Sequence, residues 1–282
     1  MTNPHQLFEF QNRLGQGGSA WVYRVLDRKT GRIRALKQMR PDRAPDPVDR
    51  ALFAQEVTIL KRLDISGVPR IHQVDLEETY PWFTLDLIEG TTLQETLENS
   101  NLNTLEQVDL LAQTSIIVGQ IHHKGVVHHD LKPTNILIGS HWNPWVVDFG
   151  VGSFVDCLPP AGTQDYLVGT LSYLSPERIQ NPSGPHAPTA DVYALGVILY
   201  SMLSGRMPFS GATDAELFDR IRRSQPPRPE TFQNESIPTT ICDLTMRALS
   251  RCPKHRPPNA RVFATDLLHS LIDHAANQSN AA

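Results

Sequence analysis

The run His128-His129-Asp130-Leu131-Lys132-Pro133-Thr134-Asn135, followed by Asp148-Phe149-Gly150, gathers two acids, an amide and a lysine into 23 positions. Carboxylate and amide oxygens are hard ligands suited to a divalent cation such as Mg2+. A carboxylate in the same array can orient a hydroxyl nucleophile and take its proton. A polar hairpin with an Asx turn would account for one of the acids, but not for both together with Asn135 and Lys132. The apolar runs Ile136-Leu137-Ile138 and Trp145-Val146-Val147 flank the array.

A second candidate is Leu14-Gly15-Gln16-Gly17-Gly18-Ser19-Ala20-Trp21-Val22. Glycines between two strands let the backbone approach a phosphate chain with its N–H groups outward. A strand follows, where a dinucleotide fingerprint needs a helix, and no Gly-Lys-Ser/Thr follows to make a Walker loop. Lys37 lies on the next strand, within Ala35-Leu36-Lys37. Glu56 comes 19 residues later on an otherwise apolar helix face, where an unpaired charge is costly. Lys37 could neutralise it, and the same ammonium could hold a phosphate.

Two kinds of element must position these groups. The first ~90 residues alternate in the strand manner: Phe8–Phe10, Trp21–Leu26, Ile33–Lys37, then strands near Ile71–Leu76 and Trp82–Leu87. A Pro-rich break (Pro41, Pro45, Pro47) precedes an amphipathic helix from about Val48 to Leu63, with Leu52, Phe53, Glu56, Ile59, Leu60 and Leu63 at helical spacing. From about Thr91 the period is 3.6. Helices are expected over Leu105–His122, from Asp191, and over Ala215–Arg222, Ile241–Leu249 and Arg261–His274, with loops at Pro182–Pro188 and Pro226–Pro229.

Composition narrows the class. The 282 residues are 40% hydrophobic and 20% charged, enough for a sizeable core and against wholesale disorder. Lys+Arg 26 against Asp+Glu 30 gives a net charge of -4, without the basic excess of an obligate nucleic-acid binder. Cys157, Cys242 and Cys252 form no CxxC, which excludes a zinc ribbon or disulfide scaffold and fits a reducing compartment. The polar start Met1–Glu9 lacks a secretory signal, and the uncharged stretch Val192–Leu203 is too short for a membrane span and reads as a buried helix. The small polar tail Ala275–Ala282 reads like a linker, as in one module of a longer protein.

Taken jointly and in order, these motifs resemble the eukaryotic-like (Hanks-type) serine/threonine protein kinase catalytic domain. The resemblance runs from about Phe8 to Leu271. It extends to Gly169-Thr170-Leu171-Ser172-Tyr173-Leu174-Ser175-Pro176-Glu177, to Asp191-Val192-Tyr193-Ala194-Leu195-Gly196 at the start of the large-lobe central helix, and to Arg256 as partner of Glu177. It implies an α+β bilobal fold over residues 8–273. A small β-sheet lobe with one main helix would span about 8–87, a larger helical lobe about 91–273, and residues 1–7 and 275–282 would be flexible termini or linker. The implied reaction is transfer of the ATP γ-phosphoryl group to Ser/Thr hydroxyls of proteins.

By the same resemblance, Leu14, Gly15, Gly17 and Val22 would cover ATP, and Lys37 would bind its α/β-phosphates while paired with Glu56. Asn135 and Asp148 would hold Mg2+, or Mn2+ in its place. Asp130 would orient the acceptor, with Lys132 near the γ-phosphate and Thr170 shaping the acceptor site. Val22, Ala35 and Leu137 would sandwich adenine, the peptide groups of Asp86 and Ile88 would bond its edge, and Leu85 would sit behind. Phe149, His128 and Leu60 match an apolar stack linking the lobes. The partners implied are protein substrates and ATP, with no nucleic acid, and the expected location is cytoplasmic, in a full-length protein that could be tethered to a membrane or fused to further domains.

Departures from the pattern qualify this. His129 replaces an arginine that usually grips a phosphate on the activation segment; a mostly neutral imidazole without a fork predicts less dependence on that phosphorylation, with Thr163 as the residue to test. Ala20 and Ser175 are mild replacements. Residues 71–123 carry nine acids and no Lys or Arg, a solvated acidic face or a field that steers basic substrates. With Thr92 and Thr134 where basophilic relatives have acids, no strict need for an arginine before the acceptor is expected. Cys157 reads as inert. Two rival readings are a pseudokinase scaffold, weakened by the presence of Lys37, Glu56, Asp130, Asn135 and Asp148, and a small-molecule kinase, weakened by the Gly-Thr to Ser-Pro-Glu segment and Arg256.

Overall fold

The computed structural model describes residues 3–42, 44, 46–155, 157, 170–182, 184, 187–229, 231–232 and 235–281. Thr163 and Gly169 lie outside the described residues. The chain begins with a helical turn α1 (Pro4–Leu7), strands β1 (Phe8–Gln16), β2 (Ala20–Asp27) and β3 (Ile33–Met39), helix α2 (Pro47–Arg62), and strands β4 (Ile71–Asp75) and β5 (Trp82–Asp86). Then come β6 (Thr91–Thr92), α3 (Leu93–Asn99), α4 (Thr104–His123), β7 (Val126–Val127), β8 (Ile136–Ile138), β9 (Pro144–Val146) and β10 (Ser153–Phe154). The rest is helical apart from a short hairpin: α5 (Pro176–Gln180), α6 (Pro188–Ser204), α7 (Asp214–Arg223), β11 (Thr231–Phe232), β12 (Glu235–Ser236), α8 (Thr239–Ala248) and α9 (Ala260–Ala281).

The first five strands form one antiparallel sheet in the order β1-β2-β3-β5-β4. Strand alternation sends neighbouring side chains to opposite faces. Thus Trp82 joins Phe8, Val25 and Leu36 on one face, while Phe83 joins Ala20, Met39 and the α2 residues Phe53, Val57 and Leu60 on the other. Helix α2 starts where the Asp46 side chain accepts the Val48 N–H at 2.7 Å and Pro47 supplies a preset φ. Its basic last turn, Lys61 and Arg62, complements the helix dipole.

Helix α6 is the axis of the larger part. Its residues from Ala190 to Leu203 are buried except Ser201, and it packs against α4, α8 and α9. Each such Val or Leu stabilises the fold by about 2 kcal/mol. Gly196 lets α8 approach, since a Cβ there would lie 2.8 Å from that of Ala248.

The structure departs from the sequence pattern at element ends. Helix α6 opens at Pro188, not Asp191, because proline at the first helical position is a start signal rather than loop. Pro4–Leu7 form a capped helical turn: Asn3 accepts the His5 N–H and Pro4 is buried. The backbone of α9 continues past His274 through Ala281, the small polar tail being compatible with helix. Helix α3, absent from the sequence reading, is fixed by a capping box between Thr92 and Glu95.

Candidate active site

Lys37 projects from β3 toward α2. Its Nζ lies 2.7 and 2.8 Å from the two Glu56 oxygens and 2.8 Å from Asp148 Oδ1. Glu56 is buried on the inward face of α2, whereas half of the Asp148 side chain remains accessible. One ammonium shared by two carboxylates sets the protonation pattern. Burial by itself would lower the Lys37 pKa, but Asp148 and Glu56 raise it well above the ordinary lysine range. The Lys37 charge outweighs burial at Asp148 and draws it down to about 2. Burial pushes Glu56 up, Lys37 opposes that, and Asp148 adds to the rise.

The polar residues of the 128–135 run converge on Asp130. Its Oδ1 accepts the Thr170 N–H at 2.8 Å and the Thr170 hydroxyl at 2.9 Å, and its Oδ2 accepts Lys132 Nζ at 2.7 Å. Lys132 also donates to Thr170 Oγ1 at 2.7 Å. Asn135 donates through Nδ2 to the Asp130 carbonyl at 2.9 Å and to Oδ2 at 3.0 Å. Its side-chain carbonyl is thereby left as an acceptor. Asn135 and the Asp148 segment are tied together by the Val147 N–H, which donates to the Asn135 carbonyl at 3.0 Å.

The backbone here takes special conformations. His129 and Asp148 have φ of 67° and 66°, left-handed values that non-glycine residues rarely adopt. Asp191 holds the first of them: it accepts the His128 N–H at 2.8 Å and the His129 N–H at 2.9 Å, and takes a third bond from His122 Nε2 at 2.9 Å. The Ala260 N–H donates to His122 Nδ1, so the proton of that imidazole sits on Nε2 and points at Asp191. Burial pushes the Asp191 carboxyl up, but the His122 hydrogen bond and the imidazoles around it hold it well below the usual carboxylate range. Asp191 was legible only as a helix start. The signal for its role is one acid opening an otherwise apolar helix.

His128 and Phe149 stack with ring centroids 4.7 Å apart, and both share the main core with Leu60. Because a carbonyl can only accept, His128 donates from Nε2 to Val147 O at 3.1 Å. His129 Nε2 lies 2.8 Å from Ser153 Oγ.

The residues expected around a nucleotide lie along β1, β2, β3 and β5 and on β8. Leu14 is exposed on β1, and a Cβ on Gly15 or Gly18 would meet nothing within 4 Å, so the glycine-rich turn borders open space. The Gly17 N–H closes that turn on the Ala20 carbonyl at 2.8 Å. Val22 pairs with Lys37, and Ala35 with Leu85, while Leu137 stands on β8 between Thr92 and Trp145. Leu85, Asp86 and Ile88 are half-buried at the end of β5. The Asp86 N–H donates to Arg70 O within the sheet. Its side chain accepts from Arg34 and His72, each at 2.7 Å, and so ties the connector to the sheet. Gly90 follows, where any Cβ would overlap the Ile138 carbonyl. Gly90 and Gln55, whose amide donates to the Gly152 carbonyl, were not anticipated.

Residues 8–270 match the family model described as "Protein kinase domain". Among curated proteins, the chain is 29% identical over 255 residues to the serine/threonine-protein kinase PrkC of Bacillus subtilis, covering 90% of this chain and 39% of that one. It is 30% identical over 259 residues to the serine/threonine-protein kinase PkaA of Streptomyces coelicolor, covering 86% and 46%. It is 30% identical over 258 residues to the serine/threonine-protein kinase PknL of Mycobacterium tuberculosis, covering 91% and 64%. The chain thus spans less than two thirds of the length of each of these relatives.

Proposed function

From the premise that this chain belongs to the protein kinase family, we propose that it is an ATP-dependent serine/threonine protein kinase whose catalytic domain spans about residues 8–273. The observation that carries the reading is the double convergence on Lys37 and Asp130. One ammonium is gripped by Glu56 and Asp148, and one carboxylate is gripped by Lys132 and Thr170. The names of the curated relatives support the choice of Ser/Thr hydroxyls as acceptors.

Phosphoryl transfer asks a protein mainly for positioning and for charge at the travelling group. Lys37, kept cationic and fixed by Glu56, orients the α/β-phosphates. Asp130 is aimed by Thr170 and Lys132 so that one oxygen can accept the bond from an incoming hydroxyl. Lys132, beside it, meets the charge of the γ-phosphate. Gly15 and Gly17 give the phosphates backbone access, and Leu14, Val22, Ala35, Leu85, Ile88 and Leu137 supply the apolar walls and peptide edge for adenine.

Protein kinases use a divalent metal, and the donor set here fits one. Asp148 stays ionised and half-exposed, and Asn135 keeps its oxygen available. Two oxygen ligands suit Mg2+, or Mn2+, which retain waters and take the rest from phosphates. When bound, the ion supplies charge neutralisation at those phosphates.

The His129 substitution supports a finer reading. Its imidazole bonds Ser153 rather than offering a permanent cationic fork, so activity depends less on a phosphate in the activation segment. The acidic run 71–123 leaves room for steering of basic proteins without a fixed arginine requirement. No helix among the described residues is long and apolar enough to cross a membrane. Incubation with labelled ATP and Mg2+ tests the whole reading. Label is expected on Ser or Thr of the protein itself or of a general acceptor, and to vanish in Asp130→Asn. Nucleotide binding without transfer to any protein would overturn it in favour of a binding module.

A further inference from the structure

The segment after Asp148 belongs to the larger part of the molecule. Ser153 and Phe154 pair with Val127 and Val126, and the Val155 N–H donates to Gly125 O at 2.9 Å. Helix α2 belongs to the smaller part, yet it is fastened to this segment. The Gln55 Nε2–H donates to the Gly152 carbonyl at 2.6 Å across 97 residues of sequence. The Gly152 N–H donates to the Phe149 carbonyl at 2.9 Å, closing the turn whose oxygen accepts from Gln55. A Cβ on Gly152 would lie 3.2 Å from Ile59 Cδ1, so α2 packs tightly on this turn. Gln55 and Glu56 are consecutive, and whatever holds one against the Asp148 segment fixes the other.

We infer that Gln55 is a positioning residue: its hydrogen bond to Gly152 keeps α2 seated so that Glu56 stays on Lys37. A seated and a displaced helix are two states of one equilibrium. One part-buried hydrogen bond to a neutral carbonyl biases such an equilibrium about five- to tenfold. The bond needs a donor on the helix, which neither a carboxylate nor a thioether provides. The activity readout rests on the kinase reading above; the exchange readout does not.

The test compares the parent with Gln55→Met and Gln55→Glu, which keep length and helix propensity but lose the donor. Expected is a kcat reduced about fivefold or more in both, with KM for ATP changed less than threefold and the melting temperature held within about 2 °C. In hydrogen exchange, amides of residues 50–62 are expected to exchange faster in both variants while those of α6 do not change. Parent-like turnover and exchange in both variants would overturn the inference. Faster exchange in α6 as well would mark general destabilisation, and would equally overturn it. If the parent itself transfers no phosphate, the kinase reading fails while the exchange comparison still decides the role of Gln55. Should Gln55→Met not fold, Gln55→Ala read by the same exchange experiment takes its place.

Discussion

Arg256 grips Glu177 with both arms of its guanidinium, Nη1 at 2.7 Å from Oε1 and Nη2 at 2.7 Å from Oε2. The fork is wholly buried, lies 4.9 Å over the Tyr193 ring, and also donates to the carbonyls of Thr189, Ser250 and Arg251. Lysine cannot reproduce that geometry. Arg256→Lys is therefore expected to cost about 3 kcal/mol and lower the melting temperature by about 6–10 °C. A calorimetric scan in which the variant melts with the parent would contradict this.

Thr170 is the hydroxyl relay between Lys132 and Asp130, accepting from the first and donating to the second. Thr170→Val keeps the shape and removes both bonds, which leaves the Asp130 carboxylate held by the residue-170 N–H, Lys132 and Asn135. Steady-state kinetics should give a kcat lowered about tenfold or more with KM for ATP within threefold, and Thr170→Ser should restore most of it.

Asp191 accepts three donors in the core, and an amide can match only part of them. Asp191→Asn should lower stability by about 3 kcal/mol and abolish most turnover, because the Asp130 loop loses its anchor. The pH dependence follows from the sign of the shift. The folded-state pKa lies below the unfolded one, so the contribution is complete above the ordinary carboxylate range and is lost as pH falls through the lower folded value. Denaturant titrations should therefore show a parent-minus-variant difference that is flat from about pH 5 to 8 and shrinks only below about pH 4. A difference that grows on acidification would sink the assignment.

The His129–Ser153 contact predicts tolerance of a dephosphorylated activation segment. Phosphatase-treated protein and Thr163→Ala should each retain turnover within about tenfold of the parent. A hundredfold loss in Thr163→Ala would show that a phosphate is required after all.

The amphipathic α2 and the apolar α6 were legible because burial writes a helical pattern into the chain, and the five strands because short β-type runs are split by turn residues. Lys37, Glu56, Asp130, Asn135 and Asp148 were legible because charge and amide groups in apolar surroundings need a partner, and their order matched a known family. The polar contacts of Gln55 and Gly90 left no such trace. A glutamine on a helix reads as solvent-facing until a carbonyl 97 residues away is set beside it. Gly90 reads as a turn until the Ile138 carbonyl is found against it. Helix ends were misjudged where proline or small polar residues permit two readings, as at Pro188 and after His274.

The connector between the two parts of the molecule is clamped at both ends. Asp86 is bolted to the sheet by Arg34, His72 and the Arg70 N–H, and Gly90 is pressed against the carbonyl of Ile138. Between those clamps lie Leu87, Ile88 and Glu89, the three residues that would absorb a rocking of one half over the other and that, on the kinase reading proposed above, border the adenine end of the cleft. On that reading, opening of the cleft and the hold on the base would run through the same three residues.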